Sequence, residues 1–100
     1  MKTPNLRTNP AVGLLEDSLE YESIKPAQAA RDMGIPRSRL CDIFAGRKGI
    51  STDTALHVEQ YLGIPAMLLM QLQSDFDLSK AKRLKGEMIR KSVRRHLVEA

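Results

Sequence analysis

Six residues that start or stop helices divide the middle of this chain: Pro26, Gly34, Pro36, Gly46, Gly63 and Pro65. Proline fits the first turn of a helix, where its missing N–H has no partner to lose. Glycine tolerates the left-handed conformation that ends one. Read in order, these marks confine a second helix to the two turns between Pro26 and Gly34. They place a third between Pro36 and Gly46, end a fourth at Gly63 and begin a fifth at Pro65. The chain has 100 residues, enough for one domain, and 42% of them are hydrophobic, yet it holds only two Phe, two Tyr and no Trp. Such a core must be built from Leu, Ile, Val, Ala and Met, which suits small packed helices. An all-α fold is expected.

Apolar spacing fills in the helices. Residues 1 to 10 carry two Pro, two Asn and little that is apolar, and read as a loose arm. A first helix follows, with Leu14, Leu15, Leu19 and Tyr21 on one stripe and Glu16, Asp17, Glu20 and Glu22 on an acidic face that also favours a helix N-terminus. Ser51 or Thr52 caps the fourth helix, Asp53 favours its positive end, and Ala55, Leu56, Val58 and Leu62 form its inner face. The fifth is apolar nearly all round, through Met67, Leu68, Leu69, Met70 and Leu72, so part of its surface is available to a second subunit. Ser79 is placed to cap a sixth segment carrying Leu84, Met88, Ile89, Val93 and Leu97, weakened at Gly86 by roughly 1 kcal/mol relative to Ala. The organisation expected is an arm at 1 to 10, a domain at 11 to 78 and a basic helix or tail at 79 to 100.

Charge is unevenly spread. Residues 79 to 100 hold eight Lys or Arg against two Glu, which leaves the remainder of a chain of formal charge +4 slightly acidic. Such a tail is either a solvated face or one that meets DNA backbone or an acidic partner. One cysteine, Cys41, excludes an internal disulfide; it reads as a half-buried small residue. The two histidines, His57 and His96, lie far apart, so no metal and no cofactor is expected, and His57 reads as a surface residue. Without the apolar stretch of a signal peptide or a run near the roughly 18 apolar residues of a membrane span, a cytoplasmic protein is expected. No nucleophile, base and acid grouping or glycine-rich phosphate loop stands out, so no enzyme is expected.

The stretch GIPRSRLCDIFAGRKGIS, residues 34 to 51, carries the functional signal. Two short helices joined by a tight Gly turn meet the requirements of a helix-turn-helix. Ala30 must be small where the third helix crosses. Ala29, Met33, Ile35, Leu40 and Ile43 point inward, which leaves Arg37, Ser38, Arg39, Cys41 and Asp42 outside. N-terminal residues of the second helix of this motif reach base edges in the major groove. An Arg there can donate two parallel hydrogen bonds to guanine O6 and N7, worth about 1 to 3 kcal/mol against the wrong base. Arg47 and Lys48, past the helix end, suit phosphates.

Residues 12 to 78 resemble the lambda-repressor-like helix-turn-helix domain, and specifically the HigA family of antitoxins. The resemblance rests on that stretch together with TDTAL at 52 to 56, QYLG at 60 to 63 and LQSDFDL at 72 to 78. It implies a compact five-helix domain and a homodimer that binds a palindromic double-stranded DNA operator, represses its own operon and neutralises a small ribonuclease toxin of the HigB type. It places base contacts at Pro36, Arg37, Ser38, Arg39 and Asp42, and phosphate contacts at Lys25, Arg47 and Lys48. Asp42 could accept from cytosine N4 or orient Arg39. Met67, Leu68 and Met70 are the candidate dimer or partner contacts. The chain departs from the family pattern at Asn9-Pro10-Ala11-Val12, where His-Pro-Gly-Glu is frequent, and at Leu69, where a Trp usually stands. Alternatives are a stand-alone regulator on the same domain, or a protein-interaction module without base reading.

Overall fold

The computed structural model describes residues 9 to 97, which form five helices and, among the described residues, no strand: α1 (Pro10–Tyr21), α2 (Pro26–Met33), α3 (Arg37–Phe44), α4 (Thr52–Leu62) and α5 (Ala66–Ser92). Residues 1 to 8 of the expected arm, and 98 to 100 of the tail, lie outside the described residues. Asn9 and Pro10 belong to the domain. The Asn9 side chain accepts from the Ala11 N–H at 3.0 Å, and Pro10 is the first helical residue. The N-terminal signal of α1 is thus an Asn cap, since its first turn holds no acid.

Ala11, Val12, Leu15 and Leu19 form the buried stripe of α1, but Tyr21 is exposed. Two residues beyond Leu19 it is turned about 200° around the axis, away from the core. Gly34 ends α2 at φ +69, and the Ile35 N–H bonds back to the Ala30 carbonyl, which closes the turn and buries Ile35. Ala29 and Ala30 are buried, leaving room for α3 to seat Leu40 and Ile43 against them. Ser51, rather than Thr52, caps α4, its Oγ accepting from the Thr54 N–H at 3.2 Å. Thr54, Ala55 and Val58 face inward, while Leu56 lies on the opposite flank and is exposed.

Helices α4 and α5 are joined by a cap that crosses between them. Pro65 offers α5 no side-chain oxygen, and the Glu59 carboxylate of α4 accepts from the Ala66 N–H instead. α5 then runs 27 residues without a break, so no separate sixth helix begins at Ser79. Nothing in Asp75-Phe76-Asp77-Leu78 stops a helix. Phe76 stays half-buried against the body, and Gly86 is not among the glycines at positive φ. The helix ends at Ser92, earlier than the apolar spacing suggested, and Val93 and Leu97 lie beyond it. Only its first three turns are packed: Leu69 and Gln73 are buried, whereas Leu78, Leu84, Met88 and Ile89 are exposed. A helix of this length spans about 40 Å, which accounts for a molecule of 55 × 29 × 24 Å.

Candidate nucleic-acid interface

With Leu40 and Ile43 committed to the core, helical geometry turns the other side of α3 outward. Pro36, Arg37, Ser38 and Cys41 are exposed, and Arg39 and Asp42 are half-exposed along the same face. Cys41 is therefore a surface thiol, not a half-buried one. Among the described residues Arg37 makes no ion pair. Arg39 is held: its Nη1 lies 2.8 Å from Oδ2 of Asp53, in the first turn of α4. His57, one turn further on, places Nδ1 2.7 Å from the Asp53 carbonyl oxygen and 3.5 Å from the same Oδ2.

Asp42 does not orient Arg39. Its carboxylate accepts from Arg47 Nε at 2.8 Å and lies 3.9 Å from Lys48 Nζ. The Arg47 and Lys48 backbone N–H groups both donate to the Asp42 carbonyl, at 2.9 and 3.2 Å. Gly46, at φ +79, turns the chain back so that this can happen. The result is a basic loop folded onto the C-terminal end of α3. Lys25 is exposed at the start of α2.

A buried polar clip anchors the far side of that loop. The Gln73 carbonyl oxygen accepts from the Ile50 backbone N–H at 2.8 Å and from Asn9 Nδ2 at 2.7 Å, while its Nε2 donates to Asp77 at 3.0 Å. Gln73 therefore ties the start of α1, the loop before α4 and α5 to one amide. Gly49 passes directly over it, where any Cβ would strike that amide. An open cleft of about 430 Å³ runs beside the clip, and Arg47 and Lys48 line it together with Lys80 and Arg83 of α5. The first turns of the basic tail thus share a surface with the basic loop. Of the candidate partner contacts, Met67 is 81% and Leu68 42% exposed, whereas Met70 is half-buried against the core.

Two residues that hold this face together, Asp53 and Gln73, differ in how far the sequence marks them. Local sequence marks Asp53 only as a helix-dipole residue, because its ion pair spans 14 positions and leaves no local signature. Gln73 did leave one: it stands four residues after Leu69 and three before Phe76, the single polar side chain on an apolar helical face. Between α2 and α4 the Tyr61 hydroxyl donates to Asp32 at 2.6 Å. That hydrogen bond raises the phenol's pKa above its ordinary 10.0, with burial and the Asp32 charge acting in the same direction. Among the described residues no group of His, Cys, Asp and Glu could hold a metal, and no helix is long and apolar enough to cross a membrane.

Two short helices at a left-handed Gly turn, the second presenting basic residues at its N-terminal end, define a helix-turn-helix protein of the lambda-repressor-like class. No protein-family model matches the chain, and no curated protein matches it. Solved structures do. The chain is similar to the Pseudomonas aeruginosa antitoxin HigA with higBA promoter, at a TM-score of 0.81 and 28% identity over 91% of this chain and 99% of that one. A Pseudomonas aeruginosa protein in complex with its 18 bp operator DNA gives a TM-score of 0.79 and 28% identity, covering 91% and 96%. An addiction module antidote protein of a HigA family from Coxiella burnetii gives 0.78 and 27%, covering 90% and 98%. The arrangement of the five helices is thus similar to that of HigA-family antitoxin structures.

Proposed function

We propose that this chain is a DNA-binding repressor that acts as the antitoxin of a HigB/HigA-type module, binding its operator as a homodimer and neutralising a small ribonuclease toxin. One observation carries the DNA-binding part: Arg37 and Arg39 are displayed at the N-terminal end of α3, on a fold similar to a HigA antitoxin with promoter DNA. Pro36, Arg37, Ser38 and Arg39 contact base edges, with Asp42 at the end of the same face. Lys25, Arg47 and Lys48 contact phosphates. Residues 11 to 78, with Asn9 and Pro10 at their head, form the DNA-binding unit, and 79 to 100 its basic extension.

Two-fold symmetry predicts a palindrome whose half-sites lie about one helical turn, roughly 10 bp, apart. The exposed Met67 and Leu68, with Met70 behind them, are the candidate dimer or partner contacts. Nothing in the reading requires a catalytic reaction or a cofactor.

The test compares the parent with an Arg37→Ala, Arg39→Ala variant on the duplex upstream of its own gene and on a scrambled duplex. A fall of at least tenfold in preference for the native duplex is expected. An unchanged preference would overturn the assignment. For the toxin, the full chain isolated from its host at low salt should bring with it a stoichiometric small protein that cuts RNA once freed; recovery of the chain with DNA alone would remove the antitoxin role.

A further inference from the structure

We propose that Asp53, on the helix after the DNA-reading one, is a specificity-determining residue: it holds the Arg39 guanidinium in its base-reading orientation and disfavours the wrong sequence. The inference rests on the reading of α3 as the recognition helix.

The ion pair uses Nη1 of Arg39, at 2.8 Å from Asp53 Oδ2. Nε and Nη2 are left as the two parallel donors that a guanine O6 and N7 can accept from. A free arginine must give up rotamer freedom when it docks, whereas one already held gives up less. The backbone of Asp53 is fixed: it sits in the first turn of α4 behind the Ser51 cap, its carbonyl oxygen 2.7 Å from His57 Nδ1, and the same ring nitrogen lies 3.5 Å from the carboxylate.

This pair is too exposed to serve the fold, at 35% for Arg39 and 64% for Asp53, because screened surface pairs add little stability. Its consequence falls on binding. A carboxylate on a face that meets phosphates repels them, and on a wrong sequence no docked Arg39 offsets that repulsion. Arg37, with no ion pair among the described residues, lacks such a device.

The experiment uses the duplex that the parent protein enriches from a randomised pool, each single base-pair substitution of its half-sites, and a scrambled duplex. Arg39→Ala should flatten the preference at one base pair by about tenfold. Asp53→Asn should flatten the same base pair by about three- to tenfold, leave other positions unchanged and let the scrambled duplex bind a few-fold more tightly. In the Arg39→Ala background, Asp53→Asn should cause no further loss at that base pair. Only a positioning role gives this pattern, since a structural defect weakens all duplexes alike and persists without Arg39. Retention of the preference in Asp53→Asn, or a uniform loss across duplexes, overturns the proposal while the reading of α3 stands. If Arg39→Ala itself changes no base preference, the reading of α3 fails, and the role of Asp53 with it.

Discussion

Gly49 and Gln73 show how much of this interface is decided by single residues away from it. The Gln73 amide satisfies the buried Ile50 N–H just beyond the basic loop, and Gly49 leaves that amide its space. Gly49→Ala should therefore displace Gln73 and cost about 1 to 3 kcal/mol, the penalty for an orphaned buried donor, as read by urea denaturation. Wild-type stability in that variant would show that the clip can reseat. On the proposed reading the basic residues divide by role. Arg47→Ala and Lys48→Ala should each weaken binding to all sequences alike and lower the salt slope by about one, as measured by titration across salt concentrations. Arg37→Ala should instead relax one base preference. Arg37 and Arg39 were legible in the sequence because their place in the motif follows from Gly34 and Pro36. The partner that holds Arg39 was not legible, since an ion pair between separate helices depends on how those helices pack.

Helix boundaries were the most legible feature, because Pro and Gly fix them through local backbone chemistry alone. Gly34 is the clearest case: at φ +69 its replacement by Ala should cost about 1 to 2 kcal/mol in thermal unfolding, with the turn before α3 the first part to loosen. Faces were less legible. Tyr21 and Leu56 fit an apolar pattern yet point outward, since which side of a helix is buried depends on its neighbours. The continuity of α5 is not legible because the Asp-rich stretch before Ser79 looks like a boundary, although nothing in it stops a helix. Between α2 and α4 the Tyr61–Asp32 bond supplies a pH signature. The phenol's pKa is raised in the folded state, so this contribution is complete below its unfolded value of about 10 and is lost as pH rises through the raised one. Tyr61→Phe should lose about 1 kcal/mol at neutral pH, and the gap to the parent should shrink only in strong alkali, as followed by urea denaturation at each pH. A gap that closes below pH 9 would contradict this assignment.

As a whole, the molecule is a small packed body with one helix projecting from it, and the two parts answer to different physics. The body buries most of its apolar residues, with Tyr21, Leu56, Met67 and Leu68 the exposed exceptions, and presents a basic, hydrogen-bonded face. The projection carries Leu84, Met88 and Ile89 in the open beside its cations. Because Lys80 and Arg83 line the same cleft as Arg47 and Lys48, the Lys80→Ala, Arg83→Ala variant should lose affinity uniformly, with a lower salt slope and unchanged base preferences. Altered base preferences would place these residues at a base edge instead. On the proposed function, this body reads DNA sequence through α3. Selection from a pool of randomised duplexes, run in parallel with the parent and the Arg37→Ala, Arg39→Ala variant, tests it most directly. The parent should enrich a two-fold symmetric sequence with half-sites about 10 bp apart, and the variant should not. Enrichment of the same sequence by both proteins, or of none by the parent, would contradict it.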